Sequence, residues 1–184
     1  MKLPTLTTPR LILRPFELSD ALDVQHLAGD WAIADTTLNV PYPYLDGMAE
    51  TWIHTHVEAA RKAHSVTLAI TCQSDNALLG AISLMSISKR HQAELGYWVG
   101  KPYWGKGTCT EAAQAVLAYA FNELDLIRVY ARYLARNPAS GRVMQKLHMQ
   151  YEGTLRQHAK KWEQYEDYVF CGLLKNEWRS TISK

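Results

Sequence analysis

Apolar and polar residues follow one another along the chain in short blocks, some with the period of a strand and others with that of a helix. Residues 10–15 (RLILRP) show the alternation of a first strand. A polar cap at residue 19 or 20 opens a short helix to about residue 28, and an amphipathic segment from 46 to about 64 predicts a second helix. Between them, residues 30–45 contain two prolines and predict an irregular loop.

The second part of the chain consists mostly of strand-like segments. Turn residues SDN separate the first two of these segments and indicate a hairpin. The pattern predicts strands at about 65–71, 78–87, 93–100, 127–134, 150–158 and 166–174, and helices at about 108–124 and 138–147. With the first strand and the first two helices, this order predicts one α/β (α+β) domain over residues 1–184. Its mixed central sheet has about seven strands and is flanked by about four helices.

Composition and charge restrict the classes of function. The chain has 184 residues, of which 47% are hydrophobic and 21% are charged, as in a globular protein with one full core. A formal net charge of +2 without a block of Lys or Arg argues against a nucleic-acid partner. The first residues lack the apolar core of a secretory signal, and no apolar run approaches the length of about 20 residues that spans a bilayer. We therefore expect a cytoplasmic protein without a membrane partner.

The cysteines and histidines do not have the spacing of a metal site. Cys72, Cys109 and Cys171 are odd in number and far apart, which predicts three reduced thiols. His54 and His56 stand two positions apart and therefore face different sides of a helix, which is a poor arrangement for a shared metal ion. We expect no metal cofactor, and either a monomer or a homodimer fits the sequence.

The segment GKPYWGKGTCTEA joins a predicted strand to a predicted helix and carries the strongest chemical signal. Gly105 and Gly107 flank Lys106 immediately before the helix. The N–H groups at the start of a helix have no partner within the helix and carry positive partial charge. Glycines let phosphate oxygens approach these groups, and a lysine adds a cation. The segment therefore predicts a phosphate-binding loop.

The same segment differs by one residue from the nucleotide-binding pattern G-x-x-x-x-G-K-[ST]. Gly107 stands where that pattern needs a hydroxyl for Mg²⁺, and Thr108 has the spacing of a capping box with Glu111 instead. The strand that follows ends in Arg136 and Asn137 rather than in an acidic ligand for Mg²⁺. Phosphoryl transfer is therefore disfavoured, and a plain strand-to-helix turn is the remaining alternative.

Along nearly its whole length the sequence resembles the GCN5-related N-acetyltransferases (GNAT), and within them the RimJ/RimL-like group that acetylates N-terminal amines of ribosomal proteins. The pyrophosphate loop of that family, [RQ]-x-x-G-x-[GA], falls on residues 104–109. Trp104 departs from the pattern but is usual in the ribosomal-protein group, and Cys109 is less usual but small. Further segments that resemble the family are TPRLILRPF, PYPY, AELGYWV, NPAS and KLHMQYEGTLR.

The resemblance implies the GNAT fold and an acetyl-CoA-dependent enzyme that transfers an acetyl group directly to a primary amine. The expected acceptor is the N-terminal α-amine of a protein such as a ribosomal protein. In the family, amides at the end of the central strand bind the pantetheine arm and polarise the thioester carbonyl. Carried over to this chain, the residues expected to bind acetyl-CoA are Trp98, Val99, Trp104, Gly105, Lys106, Gly107, Thr108, Cys109 and Asn137.

Two side chains are candidates for proton transfer. Glu94 lies on the strand that enters the loop, where the family carries a carboxylate facing the acceptor amine; the alternative is a solvated strand residue. Strand alternation places Gly96 and Trp98 on the same side as Glu94. Ser140 is a candidate proton donor to the departing thiolate, or an ordinary residue in the first turn of a helix that Asn137 caps.

The remaining candidates concern the acceptor and the type of mechanism. Trp31, Tyr42 and Tyr44 are candidates for the acceptor pocket, with core and loop packing as the alternative. Cys109 at a helix start raises a competing acyl-cysteine route, although no His or Asp is placed by sequence to assist it. Two other functions stay open: acetylation of a small amine (an antibiotic, polyamine or amino acid) and a non-catalytic coenzyme A-binding module.

Overall fold

The computed structural model describes residues 2–182 and folds them around one mixed β-sheet. The eight strands are β1 (Leu6–Thr7), β2 (Leu11–Arg14), β3 (Val66–Cys72), β4 (Leu78–Ser88), β5 (Gln92–Val99), β6 (Arg128–Leu134), β7 (Gln150–Lys161) and β8 (Gln164–Leu174). The α-helices are α1 (Ala21–Ala28), α2 (Trp31–Thr36), α3 (Met48–Arg61), α4 (Thr108–Asn122), α5 (Pro138–Lys146) and α6 (Lys175–Ile182), and 3-10 helices form at Leu18–Asp20 and Lys101–Tyr103. In this part of the chain, no helix combines the length and the apolar character needed to cross a membrane.

The sheet opens between strands β5 and β6. The strand order is β1-β2-β3-β4-β5-β6-β8-β7, and β5 and β6 form the parallel pair. This pairing is limited to residues 92–94 with 128–130. Farther along, β5 stays paired with β4, whereas β6 stays paired with β8. The carboxyl ends of β5 and β6 therefore separate and leave a cleft in the sheet.

Helices cover both faces of the sheet. The buried side of α4 packs on one face within the largest core cluster, to which β5 contributes Leu95 and Val99. Helices α1 and α3 pack on the other face in a second cluster, which Trp98 of β5 contacts. The alternation expected for this strand is therefore present, since Leu95 and Val99 face α4 while Trp98 faces α1 and α3.

Three short elements differ from the sequence prediction. Residues 30–45 are not irregular throughout, because the Asp30 side chain caps α2 by accepting a 2.8 Å hydrogen bond from Ala32 N. Strand β1 has two residues and brings the sheet to eight strands instead of about seven. Helix α6 follows β8, and its Trp178 ring packs 5.3 Å from the Phe121 ring of α4. With α2 and α6, the described residues form six α-helices rather than about four. These elements are too short to show a clear hydrophobic period.

Candidate active site

The opening between β5 and β6 is a cleft of about 1470 Å³. It extends from the loop before α4 to α3 and to the segment that connects α2 with α3. The candidate residues that line it are Tyr44, Glu94, Trp98, Val99, Trp104, Gly105, Gly107, Thr108, Cys109, Asn137 and Ser140. Among the described residues of the candidate set, Trp31, Tyr42 and Lys106 lie outside its lining.

Helix α4 begins at the cleft without a side-chain cap. Gly107 occupies the N-cap position with φ at +77°, and Gly105 has φ at +75°, so both adopt the left-handed conformation that favours glycine. The predicted capping box is wrong, because Thr108 is the first helical residue and Glu111 bonds to a distant part of the chain. The first-turn N–H groups of α4 therefore have no side-chain acceptor, which leaves them available to an anion.

Glu111 instead anchors the glycine loop to the turn between β1 and β2. Its Oε1 accepts hydrogen bonds from Thr8 Oγ1 at 2.6 Å and from Arg10 N at 3.0 Å, and its Oε2 pairs with the Arg10 guanidinium at 2.6 Å. Burial favours the neutral carboxyl, but the hydrogen bonds and the charge of Arg10 outweigh burial and lower the pKa of Glu111. Arg10 also donates to Lys106 O at 3.0 Å, while the Lys106 ammonium lies 5.7 Å from the centre of the Tyr103 ring. Arg10 thus fixes the loop backbone.

The end of β5 directs backbone groups into the cleft. Gly100 N donates to Leu79 O at 2.8 Å, which makes the aligned residues Gly80 and Val99 a non-hydrogen-bonded pair of the antiparallel ladder. The N–H and C=O of Val99 therefore point away from β4 and toward the opening beside β6. Trp104 Nε1 donates to Val99 O at 2.5 Å and ties the loop to the strand end. The Val99 N–H is left as a donor toward the cleft.

Glu94 is a buried carboxylate where β5 and β6 begin to separate. It is 7% exposed, and its Oε1 accepts a 2.6 Å hydrogen bond from Arg132 Nε. The Tyr130 hydroxyl lies 3.5 Å from Oε2, and the Arg132 guanidinium lies over the Tyr168 ring at 5.0 Å from its centre. The alternative interpretation of Glu94 as a solvated strand residue is therefore excluded. Because Oε2 has only this weak contact, it retains the capacity to accept a hydrogen bond from a ligand in the cleft.

Ser140 lies in the first turn of α5 and contacts β5 through Tyr97. Asn137 caps α5, since its Oδ1 accepts a 3.2 Å hydrogen bond from Ser140 N, and its Nδ2 donates to Thr36 O at 3.2 Å. The hydroxyls of Ser140 and Tyr97 are 2.8 Å apart. Burial raises the pKa of Tyr97, so its hydroxyl stays protonated and can donate to Ser140. Tyr97 is a functional candidate that the local sequence pattern does not identify; a tyrosine between Leu95 and Val99, in an otherwise apolar row of β5, is the available signal.

Cys109 has the environment of a packing residue. Burial raises the pKa of its thiol, which leaves little of the nucleophilic thiolate near neutral pH. Its partly buried side chain packs against the largest core cluster. The geometry therefore gives no support to an acyl-cysteine route.

In the described part of the chain, no group of three or more His, Cys, Asp or Glu residues could hold a metal ion.

The three aromatic candidates for the acceptor pocket occupy two different places. Tyr44 lines the cleft together with Trp52 of α3. Trp31 instead stacks on Trp162, from the turn between β7 and β8, with ring centres 4.6 Å apart, and meets Tyr42 edge-on at 4.9 Å. These three rings are between 41% and 49% exposed. Trp31 and Tyr42 thus belong to a surface cluster outside the cleft, which Trp162, a residue distant in sequence, completes.

The chain is similar to known acetyltransferases in sequence and in fold. A family model for the acetyltransferase (GNAT) domain matches residues 10–150. The uncharacterised N-acetyltransferase p20 of Bacillus licheniformis is 32% identical over 178 residues, which cover 95% of this chain and 98% of that protein. An acetyltransferase (GNAT family) structure from Bacillus anthracis superposes with a TM-score of 0.85 at 25% identity, over 95% of this chain and 100% of that one. RimL, a ribosomal L7/L12 alpha-N-protein acetyltransferase in complex with coenzyme A, has a TM-score of 0.86 at 18% identity, over 95% and 99% of the two chains.

These similarities agree with the divided sheet and with the glycine loop at the start of α4. The fold is that of an acetyltransferase. The chain belongs to the acetyltransferase (GNAT) domain family and is an N-acetyltransferase.

Proposed function

We propose that this N-acetyltransferase transfers an acetyl group from acetyl-CoA directly to a primary amine, with the N-terminal α-amine of a protein, such as a ribosomal protein, as preferred acceptor. One observation carries the proposal. The Glu94 carboxylate and the Val99 N–H lie on one strand at the border of the same cleft. A proton acceptor and a donor to a carbonyl oxygen are therefore available to one reaction centre.

The loop before α4 supports the binding of acetyl-CoA. A Cβ added at Gly105 would meet nothing within 4 Å, so the approach to the loop is open. The uncapped first turn of α4 offers N–H groups with positive partial charge to a pyrophosphate. RimL, whose fold is similar, is described in complex with coenzyme A. Trp98 and Asn137 line the same cleft and would contact the remainder of the cosubstrate.

The proposed reaction uses two protein groups for proton transfer. An α-amine has a pKa of about 7.7–8.0, against roughly 10.4 for a lysine side chain, so a modest base can deprotonate it near neutral pH. Glu94 accepts that proton, directly or through water. The amine nitrogen then bonds to the thioester carbonyl carbon, and the Val99 N–H stabilises the negative charge on the carbonyl oxygen. As the carbon–sulfur bond breaks, Ser140, hydrogen-bonded to Tyr97, donates a proton to the thiolate. The second proton that the nitrogen loses on becoming an amide passes through solvent and restores the Ser140 hydroxyl, and Glu94 releases the first proton to solvent.

The preference for a protein N-terminus is supported by similarity to the RimJ/RimL-like acetyltransferases, which act on the N-terminal amines of ribosomal proteins. The WGKG segment at 104–107 and the TEA segment at 110–112 resemble the RimJ/RimL-like pattern. RimL itself is described as an enzyme that acts on the α-amine of ribosomal L7/L12. A direct route is also supported by the state of Cys109, whose buried thiol is a poor nucleophile.

The experiment that tests the proposal is thiol release from acetyl-CoA with a panel of acceptors, followed by mass analysis of each product. The panel contains peptides with free N-termini, the same peptides with blocked N-termini, and small amines. We expect acetylation of the free peptides on the α-amine. If only the small amines are acetylated, the acceptor is a small molecule rather than a protein. Binding of acetyl-CoA without any turnover would indicate a coenzyme A-binding module.

A further inference from the structure

His56 is a buried polar residue in the cleft that the proposed reaction does not use. It lies on the inner side of α3 in line with Ile53 and Ala60, and it is 6% exposed. Neither of its ring nitrogens has a hydrogen-bond partner within the described structure. Buried polar groups are normally satisfied, so an unpaired imidazole at a cavity wall calls for an explanation. The side chain lines the same cleft as Glu94.

Aromatic neighbours fix the orientation of the His56 ring. The ring meets Trp52 edge-on with centres 4.4 Å apart, and the Phe16 ring lies 5.4 Å away. These contacts are apolar and leave both nitrogens unsatisfied. Burial lowers the pKa of His56 to about 4, so the imidazole is neutral at pH 7. A neutral imidazole can donate through one nitrogen and accept through the other.

The hydroxyls of Thr67 and Ser83 line the same cleft on the sheet. Thr67 of β3 is aligned with Ser83 of β4, which is aligned with Gly96 of β5. Because side chains alternate along a strand, this row lies on the same face of the sheet as Glu94. Ser83 Oγ donates to Thr67 Oγ1 at 3.0 Å. The hydroxyls thus form a small uncharged polar surface on the side of the sheet that α3 covers.

We propose that His56, Thr67 and Ser83 form a specificity subsite for a neutral hydrogen-bonding group that the acceptor carries next to its amine, such as the hydroxyl of a first-residue side chain. The inference rests on the proposed amine acetylation and specifies the acceptor further. A hydroxyl can donate to one nitrogen or accept from the other, which satisfies the imidazole. None of the three side chains carries a negative charge, so the subsite itself offers no ion pair to a second ammonium group of the acceptor.

The test compares two peptides that differ only in whether the first residue is Ser or Ala. The wild-type protein should show a higher kcat/KM for the Ser peptide. His56→Leu removes both ring nitrogens and keeps an apolar side chain, and we expect the Ser/Ala ratio of kcat/KM to fall at least fivefold. His56→Gln restores a neutral hydrogen-bonding group and should recover part of the ratio. Thr67→Val and Ser83→Ala should shift the ratio in the same direction as His56→Leu.

The matched control is His54→Leu. His54 lies on the same helix, is exposed and donates from Nδ1 to Glu50 O at 2.7 Å, outside the cleft lining. This variant should keep the wild-type ratio. Acetyl-CoA binding by calorimetry and the melting temperature confirm that each variant is folded and retains the cosubstrate site.

The outcomes separate the two proposals. If the wild-type protein acetylates both peptides and His56→Leu leaves their ratio unchanged, the subsite is refuted while the acetylation of N-termini stands. If only small amines are acetylated, the same ratio is measured with ethanolamine and propylamine, which differ by a hydroxyl in place of a methyl group. An unchanged ratio there also refutes the subsite. If no amine is acetylated, both proposals fail.

Discussion

The cleft has two halves that are built by different means. The proposed cosubstrate half is centred on residues 104–109 and the first turn of α4, which are contiguous in sequence and offer mainly backbone N–H groups. The acceptor half combines side chains from α3, β3, β4, β5 and β6, among them His56, Glu94 and Arg132. Its polar groups are held by contacts across the sheet, such as the 2.6 Å ion pair between Glu94 and Arg132.

This difference determines which substitutions each half tolerates. A backbone site depends on chain conformation, so it accepts Trp104 and Cys109 in place of the usual family residues but requires glycine where φ is positive. A side-chain site depends on individual functional groups, so it can change specificity by single substitutions. Four predictions test this contrast, beginning with the substitution that should change the protein most.

Glu94→Gln should have the largest effect, and it should act on chemistry alone. Removing the base is expected to lower kcat by about 100-fold to 1000-fold, in the range of general base catalysis. The Kd for acetyl-CoA, measured by calorimetry, should stay within about threefold of wild type because the cosubstrate half is unchanged.

The control for this variant is Glu152→Gln, which alters another arginine-paired glutamate outside the cleft lining. It should leave kcat unchanged. Wild-type turnover by Glu94→Gln would remove the base assignment.

Gly107→Asp should weaken acetyl-CoA binding by about 100-fold, which corresponds to roughly 2.7 kcal/mol. The new side chain is strained at φ +77° and places a carboxylate near the proposed pyrophosphate site. Calorimetry with acetyl-CoA gives the affinity directly.

Gly153→Asp provides a matched comparison, since Gly153 has φ +151° with open space around it and lies on β7 outside the cleft lining. It should bind acetyl-CoA like wild type. If Gly107→Asp binds acetyl-CoA as tightly as wild type, the glycine loop is not part of the cosubstrate site.

The acceptor half should reveal its buried histidine through the pH dependence of stability. His56 has a folded-state pKa of about 4 against an ordinary value of 6.5. Above pH 6.5 the imidazole is neutral in both states; as pH falls from 6.5 to 4, the unfolded chain binds a proton that the folded chain does not, so stability decreases. At pH 4.5 the loss from this group is roughly 2 to 3 kcal/mol.

His56→Leu isolates this contribution from other titrating groups. Urea unfolding of both proteins at pH 7 and pH 4.5 should show a smaller acid-dependent loss in the variant. An equal loss in the two proteins would mean that His56 is not buried in its neutral form.

Cys109→Ala should have the smallest effect. The thiol packs in the cosubstrate half and takes no part in the proposed chemistry, so kcat should stay within about threefold of wild type at saturating acetyl-CoA. Loss of activity in a folded protein that still binds acetyl-CoA would revive an acyl-cysteine intermediate.

The same contrast explains what the sequence could and could not predict. The loop before α4 was predictable because Gly105, Lys106 and Gly107 are adjacent, and the cap of α5 was predictable because Asn137 precedes Pro138 directly. The cap of α4 was predicted wrongly, because Glu111 forms stronger bonds to Thr8 and Arg10, about a hundred positions away. Local spacing cannot show such a competing partner.

The acceptor half depends on strand pairing, which local pattern does not fix. Arg132 lies beside Glu94 only because β6 pairs in parallel with the first residues of β5. In the same way, Trp31 stacks on Trp162 outside the cleft. Because Trp162 is distant in sequence, the residues around Trp31 do not predict this contact. His56 has no local signal of its position in the cleft, since its burial between Trp52 and Phe16 arises from tertiary packing.

In the proposed reaction, acetyl-CoA and an amine occupy the two halves together and react directly. The measurement that tests it is the initial rate of thiol release with both acetyl-CoA and a peptide of free N-terminus varied. We predict intersecting double-reciprocal lines and no thiol release without the amine, since a ternary complex must form first. Parallel lines, or thiol release that precedes addition of the amine, would contradict the claim and indicate an acetylated enzyme.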